Sequence, residues 1–252
     1  MDFGKAVHSG MEMLYGPDGG DPVRAAFYAL LIYDQSLATM PDMHPTDAAE
    51  AERLRHLLPA IFRDSLLCPD LQGIKPLKSE LQLYEEIKRT DGLDVKFKGF
   101  IDIIYVRKLP KSKKSVIYIA DFKTCQWGWP AKKFQDIEVI SQILLYKHFF
   151  CKITGADPRN VSTAFILLKK KPKKDDLCVE VAKIGSGPKA IESALSYMQR
   201  SITAMHSYSY EQNFEVCKRS WTDGVTKEER TAQCPFLGTE MCPQSELKAA
   251  VT

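Results

Sequence analysis

Apolar positions recur with a helical period over residues 4–15, 21–38 and 46–63, and the spacing predicts three helices. Asp21 with Pro22 opens the second, and Asp47 with Glu50 makes a capping box for the third. A loop punctuated by proline and glycine runs over 69–76. The period then shortens. Residues 78–89, 94–107 and 115–124 read as strands, with a turn at Asp91-Gly92 and a polar run over 108–114 between the last two. Residues 134–153 follow as a long apolar helix with Ile137, Ile140, Ile143, Leu144 and Phe149 facing the core. Residues 161–168 read as a buried strand, 177–184 hairpin back onto it, and Ser186-Gly187-Pro188 starts a helix to about residue 206. The remainder reads as irregular. This order makes an α/β sandwich, a mixed central sheet flanked by helices. No repeat or low-complexity linker divides the chain, so it reads as one domain over 1–252. Within it, 1–68 is helical, 76–206 is the αβ core, and 207–252 is a cysteine-containing tail.

Two strand-like runs end in acidic residues: Gly99-Phe100-Ile101-Asp102 and Ile119-Ala120-Asp121-Phe122-Lys123. On a strand, Asp121 and Lys123 point to one face and Phe122 to the other. If the 108–114 loop is centred between Lys111 and Ser112, Asp102 lies directly across from Asp121. A turn centred on Asp91-Gly92 sets Glu80 opposite about residue 103, next to Asp102. Three acids on neighbouring strands then converge beside Lys123, an arrangement that suits a divalent cation and a phosphate. A one-residue slip would turn a side chain away, and a surface with cross-strand Asp–Lys pairing is the plainer alternative.

Bulk composition narrows the picture only a little. With 252 residues, 44% hydrophobic and 27% charged, the chain can bury a sizeable core. A net charge of +3 does not by itself announce nucleic acid, but the positive charge is clustered, as in Lys169-Lys170-Lys171-Pro172-Lys173-Lys174. No signal peptide and no membrane-length apolar run is legible, and seven irregularly spaced cysteines argue against a disulfide scaffold. A reducing cytoplasm, bacterial, archaeal or of a phage-infected host, is the expected setting.

Taken in order, Glu80, Gly-Phe-Ile-Asp102, Asp121-Phe-Lys123-Thr and Gln142-Ile-Leu-Leu-Tyr146 resemble the PD-(D/E)XK nuclease superfamily. The chain looks most like the RecB-like exonuclease branch, which includes phage and CRISPR-adaptation nucleases. Gly4-Lys-Ala-Val-His8 matches that branch's Gly-x-x-x-His motif, and the resemblance covers roughly residues 4–170. It implies a restriction-endonuclease-like core. It implies metal ligands at His8, Asp102, Asp121 and the Phe122 backbone carbonyl, a catalytic Lys123, and a supporting Glu80. Gln142 and Tyr146 would border the DNA cleft.

The implied activity is Mg²⁺- or Mn²⁺-dependent DNA hydrolysis, with one or two ions. An exonuclease acting on linear DNA ends in recombination, repair or phage replication is the expected form, with a helicase or recombination protein as partner. A structure- or sequence-specific endonuclease of the same fold, and a non-catalytic DNA-binding or scaffolding module, are the alternatives. Some family members carry an iron–sulfur cluster on one upstream and three downstream cysteines. Here Cys217, Cys234 and Cys242 match the downstream set but no cysteine precedes His8, so no stable cluster is expected. Cys68, Cys125, Cys151 or Cys178 would have to supply a fourth ligand.

Other residues qualify by chemistry alone. Gln142 and Tyr146 are one helical turn apart, and Gln135 joins their stripe two turns earlier. An amide and a phenol there could hydrogen-bond DNA, or form an ordinary polar helix edge. Trp127 and Trp129 either stack on unpaired bases or plug the gap between the long helix and the sheet. Lys169, Lys170 and Lys171 belong to a hairpin tip that either contacts phosphate or blunts edge pairing. With carboxylates beside it, Lys123 is expected to orient water and offset charge rather than to act as general base.

Overall fold

The computed structural model describes residues 2–16, 19–40, 44–87, 92, 94–109, 114–207, 218–222 and 229–233. Three helices come first: α1 (Asp2–Tyr15), α2 (Pro22–Ala38) and α3 (Pro45–Leu67). Asp21 caps α2 by accepting from the Val23 and Arg24 amides. The third helix is capped by the His44 ring, not by Asp47, and Pro45 occupies its first turn. It runs four residues beyond the expected end and carries Pro59 inside it.

Strands β1 (Lys75–Ile87), β2 (Val95–Lys108) and β3 (Ser115–Cys125) form an antiparallel meander. Helix α4 (Ile137–Thr154) crosses over to β4 (Val161–Lys169), which pairs parallel with β3. Strand β5 (Val179–Ile184) hairpins back, and α5 spans Pro188–Ser207. The sheet order is β1-β2-β3-β4-β5, so it is mixed through a single parallel pair. This is the α/β architecture expected from the hydropathy pattern. The long helix starts later than residue 134, because Ala131–Phe134 is a separate 3₁₀ turn and Asp136 caps α4.

Two cores lie on the two faces of the sheet. Against α1, α2 and α3 pack Ile103, Tyr105, Ala120, Phe122 and Ile166. Against α4 pack Leu83, Ile101, Ile104, Ile119, Phe165 and Leu167. Ile101 and Ile103 thus face different cores, although residues two apart on a regular strand share a face. Asp102 sits at this change of face. Gly10 lets α1 approach α3, since a Cβ there would meet Phe62 Cζ at 2.4 Å.

Packing divides the chain into two compact units, 1–201 and 202–252. In the second, β6 (Lys218–Thr222) pairs antiparallel with β7 (Glu229–Gln233), where the sequence read only as irregular tail. No helix among the described residues is long and apolar enough to cross a membrane.

Candidate active site

The β2–β3 ladder ends at Ile103↔Ala120, and its register, carried one residue further, sets Asp102 opposite Asp121 as the loop arithmetic expects. There the strands part, and Asp102 Oδ2 accepts the Phe122 N–H at 2.7 Å. The pairs Ser79↔Ile103 and Leu81↔Ile101 bracket Glu80 opposite Asp102, one residue from the expected partner at 103. The difference matters because directly opposed residues share a face. Glu80 has φ 51°, in the left-handed region where a non-glycine residue is strained.

From α1, His8 Nδ1 reaches 3.7 Å from Asp102 Oδ2, and the ring meets Phe122 edge-on at 5.8 Å. Burial lowers the His8 pKa against the opposing pull of Asp121, which leaves a neutral imidazole with a lone pair. One turn further, Glu12 hydrogen-bonds Glu80. Its pKa is raised to about 7, first by burial and then by the Glu80 charge and hydrogen bond. Sequence reasoning missed Glu12. Its i,i+4 spacing from His8 on an expected helix was the signal that could have found it.

Helix α4 supplies the remaining wall. Gln142 Oε1 accepts from Lys123 Nζ at 3.0 Å, and its Nε2 donates to Asp121 Oδ1 at 3.3 Å and to Tyr146 Oη at 2.9 Å. Gly99 makes room for Tyr146, for a Cβ there would lie 2.5 Å from Tyr146 Cε1. Tyr146 itself is buried, so it anchors Gln142 instead of presenting a phenol to a cleft.

Asp102 and Asp121 are only 7% and 2% exposed. Burial, then the neighbouring Asp121 charge, pushes Asp102 up to about 8. Burial also raises Asp121, although Lys123 opposes it. Lys123 Nζ stands 2.6 Å from the buried Asp121 Oδ2, an ion pair whose charge and hydrogen bond oppose the effect of burial. Among the described residues no three His, Cys, Asp or Glu side chains encircle an ion as they stand. Even so, the donor set fits a divalent cation. It offers two buried acidic side chains on neighbouring strands and a neutral imidazole, and a cation would offset both the burial and the mutual repulsion that raise Asp102.

A family model of the PD-(D/E)XK nuclease superfamily matches residues 1–244. The chain belongs to the PD-(D/E)XK nuclease superfamily. A search of curated proteins finds no matching relative. The sheet flanked by helices is the restriction-endonuclease-like PD-(D/E)XK fold, and nucleases of this superfamily act on DNA with divalent metal ions such as Mg²⁺.

Several expected DNA-facing residues of this PD-(D/E)XK nuclease lie elsewhere than anticipated. Gln135 ends the 3₁₀ turn before α4, so it does not continue the Gln142 stripe. Trp129 plugs, with ring contacts to Phe165 at 4.7 Å and Phe134 at 5.9 Å, whereas Trp127 is 66% exposed. Lys169 is no part of an exposed tip. It ends β4, is buried, and pairs with Glu180 at 3.6 Å. The Lys170 and Lys171 amides bond the Cys125 and Gln126 carbonyls, which holds that run beside the end of β3. Cys217, Cys234, Cys242 and Asp91 lie outside the described residues. Cys68, Cys125, Cys151 and Cys178 are free thiols in the first unit.

Proposed function

We propose that this chain is a metal-dependent deoxyribonuclease that degrades linear DNA from its ends. The observation that carries the catalytic part is the meeting of His8 with the buried Asp102 and Asp121, and of Asp121 with Lys123 at 2.6 Å. His8, Asp102, Asp121 and the Phe122 carbonyl would hold Mg²⁺ or Mn²⁺. When bound, such an ion polarises the phosphate and makes water a better nucleophile.

The chain's own residues do the rest. The Phe122 amide fixes the Asp102 carboxylate, and the Gln142 amide fixes Asp121. Lys123, held by Gln142, keeps a positive charge where negative charge grows on the phosphate in the transition state. Glu80 and Glu12 add a second carboxyl pair beside Asp102, suited to supporting the ligands rather than replacing them. Buried apolar residues of β4 back the site, since Asp121 pairs with Phe165 and Lys123 with Leu167, and they exclude water from that side.

Action at ends rests on the resemblance of Gly4–His8 and Gln142–Tyr146 to the RecB-like branch. Recombination, repair or phage replication is the role this implies, with a helicase or recombination protein as companion. The test incubates end-labelled linear duplex, linear single strands and relaxed closed circles with Mg²⁺ or Mn²⁺. Linear DNA should be degraded and closed circles spared, and Asp121→Ala should abolish cleavage without loss of fold. Rapid nicking of closed circles would establish an endonuclease, and wild-type cleavage by Asp121→Ala would remove the proposed ligand set.

A further inference from the structure

On the β1–β2 ribbon, side chains alternate without exception from Gln82 to Glu86 and from Lys96 to Ile101. Leu83, Phe97, Gly99 and Ile101 turn toward α4, where Phe97 stacks on Phe149 at 4.3 Å and Gly99 abuts Tyr146. Gln82, Tyr84, Glu86, Lys96, Lys98 and Phe100 turn the other way and are exposed. The register sets Gln82 opposite Phe100, Tyr84 opposite Lys98 and Glu86 opposite Lys96. Tyr84 is 57% and Phe100 41% exposed, in a chain whose other β2 aromatic residues are covered. Lys96 Nζ lies 5.5 Å from the Tyr84 ring centre and Lys98 Nζ 5.8 Å from that of Phe100.

Two aromatic rings interleaved with two ammonium groups on one open face match what an unpaired polynucleotide presents: flat bases and regularly spaced phosphates. The strip is also continuous with the active site. Phe100 stands two residues, about 7 Å of strand, from Asp102, and Gln82 two residues from Glu80. We propose that this ribbon face is a track for a single DNA strand running into the active site. Phe100 and Tyr84 stack on its bases, Lys98 and Lys96 meet its phosphates, and Glu86 marks the distal end. The proposal rests on the nuclease reading above and adds to it the strandedness and path of the substrate. Cation–π contacts at exposed positions are weak, so a base can take the ring face while the ammonium swings to the neighbouring phosphate.

The test measures fluorescence anisotropy of a labelled 20-nucleotide single strand and of the matching duplex in Ca²⁺, together with cleavage in Mg²⁺. Tyr84→Ala/Phe100→Ala should weaken single-strand binding by at least about fivefold and raise KM more than it lowers kcat. Tyr84→Phe/Phe100→Tyr should bind as wild type. Lys96→Gln/Lys98→Gln should flatten the salt dependence by roughly 0.7 in log–log slope per lost phosphate contact. Photocrosslinking of wild-type protein to a single strand carrying 5-iododeoxyuridine needs no variant, and should label peptides containing Tyr84 or Phe100. Crosslinks confined to other peptides, or unchanged binding by the folded double alanine variant in an active nuclease, would overturn the track. A shift in oligomeric state with unchanged DNA binding would reassign the face to self-association. A wild-type protein that neither binds nor cuts DNA would remove the nuclease reading itself, and the track with it.

Discussion

Gln142 accepts a hydrogen bond from Lys123 at 3.0 Å, so a residue of α4 sets the position of the lysine on β3. The same amide donates to Asp121 and to buried Tyr146. One side chain therefore fixes both members of the Asp121–Lys123 pair and is itself fixed from behind.

Replacing that amide should uncouple charge from position. Gln142→Leu keeps the volume but leaves Asp121 Oδ1 and Lys123 Nζ without their shared partner. Cleavage under single-turnover conditions should fall about 10- to 100-fold, the usual cost of losing a group that orients metal ligands. The thermal midpoint should move little, and Mn²⁺ binding measured by calorimetry should persist.

The left-handed Glu80 should trade stability against activity. Glu80→Gly places at φ 51° a residue that tolerates it, which should raise stability by up to about 1 kcal/mol after the added unfolded-state entropy of glycine. Cleavage should drop, because Glu12 loses its partner beside Asp102. Denaturant melts in the presence of a chelator, paired with nuclease assays, give both signs.

At Gly99 the expected effect has the opposite sign. A Cβ would press 2.5 Å from Tyr146. Gly99→Ala should destabilise the protein by about 1–3 kcal/mol and also slow cleavage, since relief moves the tyrosine that anchors Gln142. Gly99→Ala combined with Tyr146→Leu should recover stability but not activity.

Acid sensitivity should be governed in part by Asp64, a buried residue of α3. Burial alone would raise its carboxyl, but the Cys178 N–H at 2.8 Å and the Arg63 guanidinium outweigh burial and hold it below the usual carboxylate range. A carboxyl depressed in the folded state contributes stability that is complete above its unfolded pKa of about 4 and is lost as pH falls through the lower folded value. Asp64→Asn should lose about 2 kcal/mol at pH 7, and its stability should fall less steeply than the wild type's below about pH 4. Urea midpoints measured from pH 7 down to the acid limit test both statements.

The sequence made the elements and the carboxylate meeting legible for a physical reason. Alternation and turn chemistry are local, and hairpin arithmetic from the 108–114 loop was enough to oppose Asp102 and Asp121. It failed where a backbone irregularity intervenes. Glu80 adopts a left-handed conformation and Ile101 and Ile103 face different cores, neither of which a period-two pattern can announce. Gln135 was misplaced because Asp136 caps a new helix right after it, and Lys169 because a strand end in a lysine-rich run looks like a turn. Glu12 shares a helix face with His8, a spacing legible in the sequence, but its partner Glu80 comes to it only through tertiary contact.

His8 belongs to a helix locked into the core on one face of the sheet, and Gln142 to a helix locked into the core on the other. Between them the site draws on positions from 8 to 142, with the aspartates on strands that separate the two layers. The strands with α1 carry the proposed ligands and Lys123, and α4 adds the Gln142 amide that holds Asp121 and Lys123 in place. The candidate site is therefore complete only once both helical layers have packed on the sheet, a product of tertiary folding rather than of any local segment.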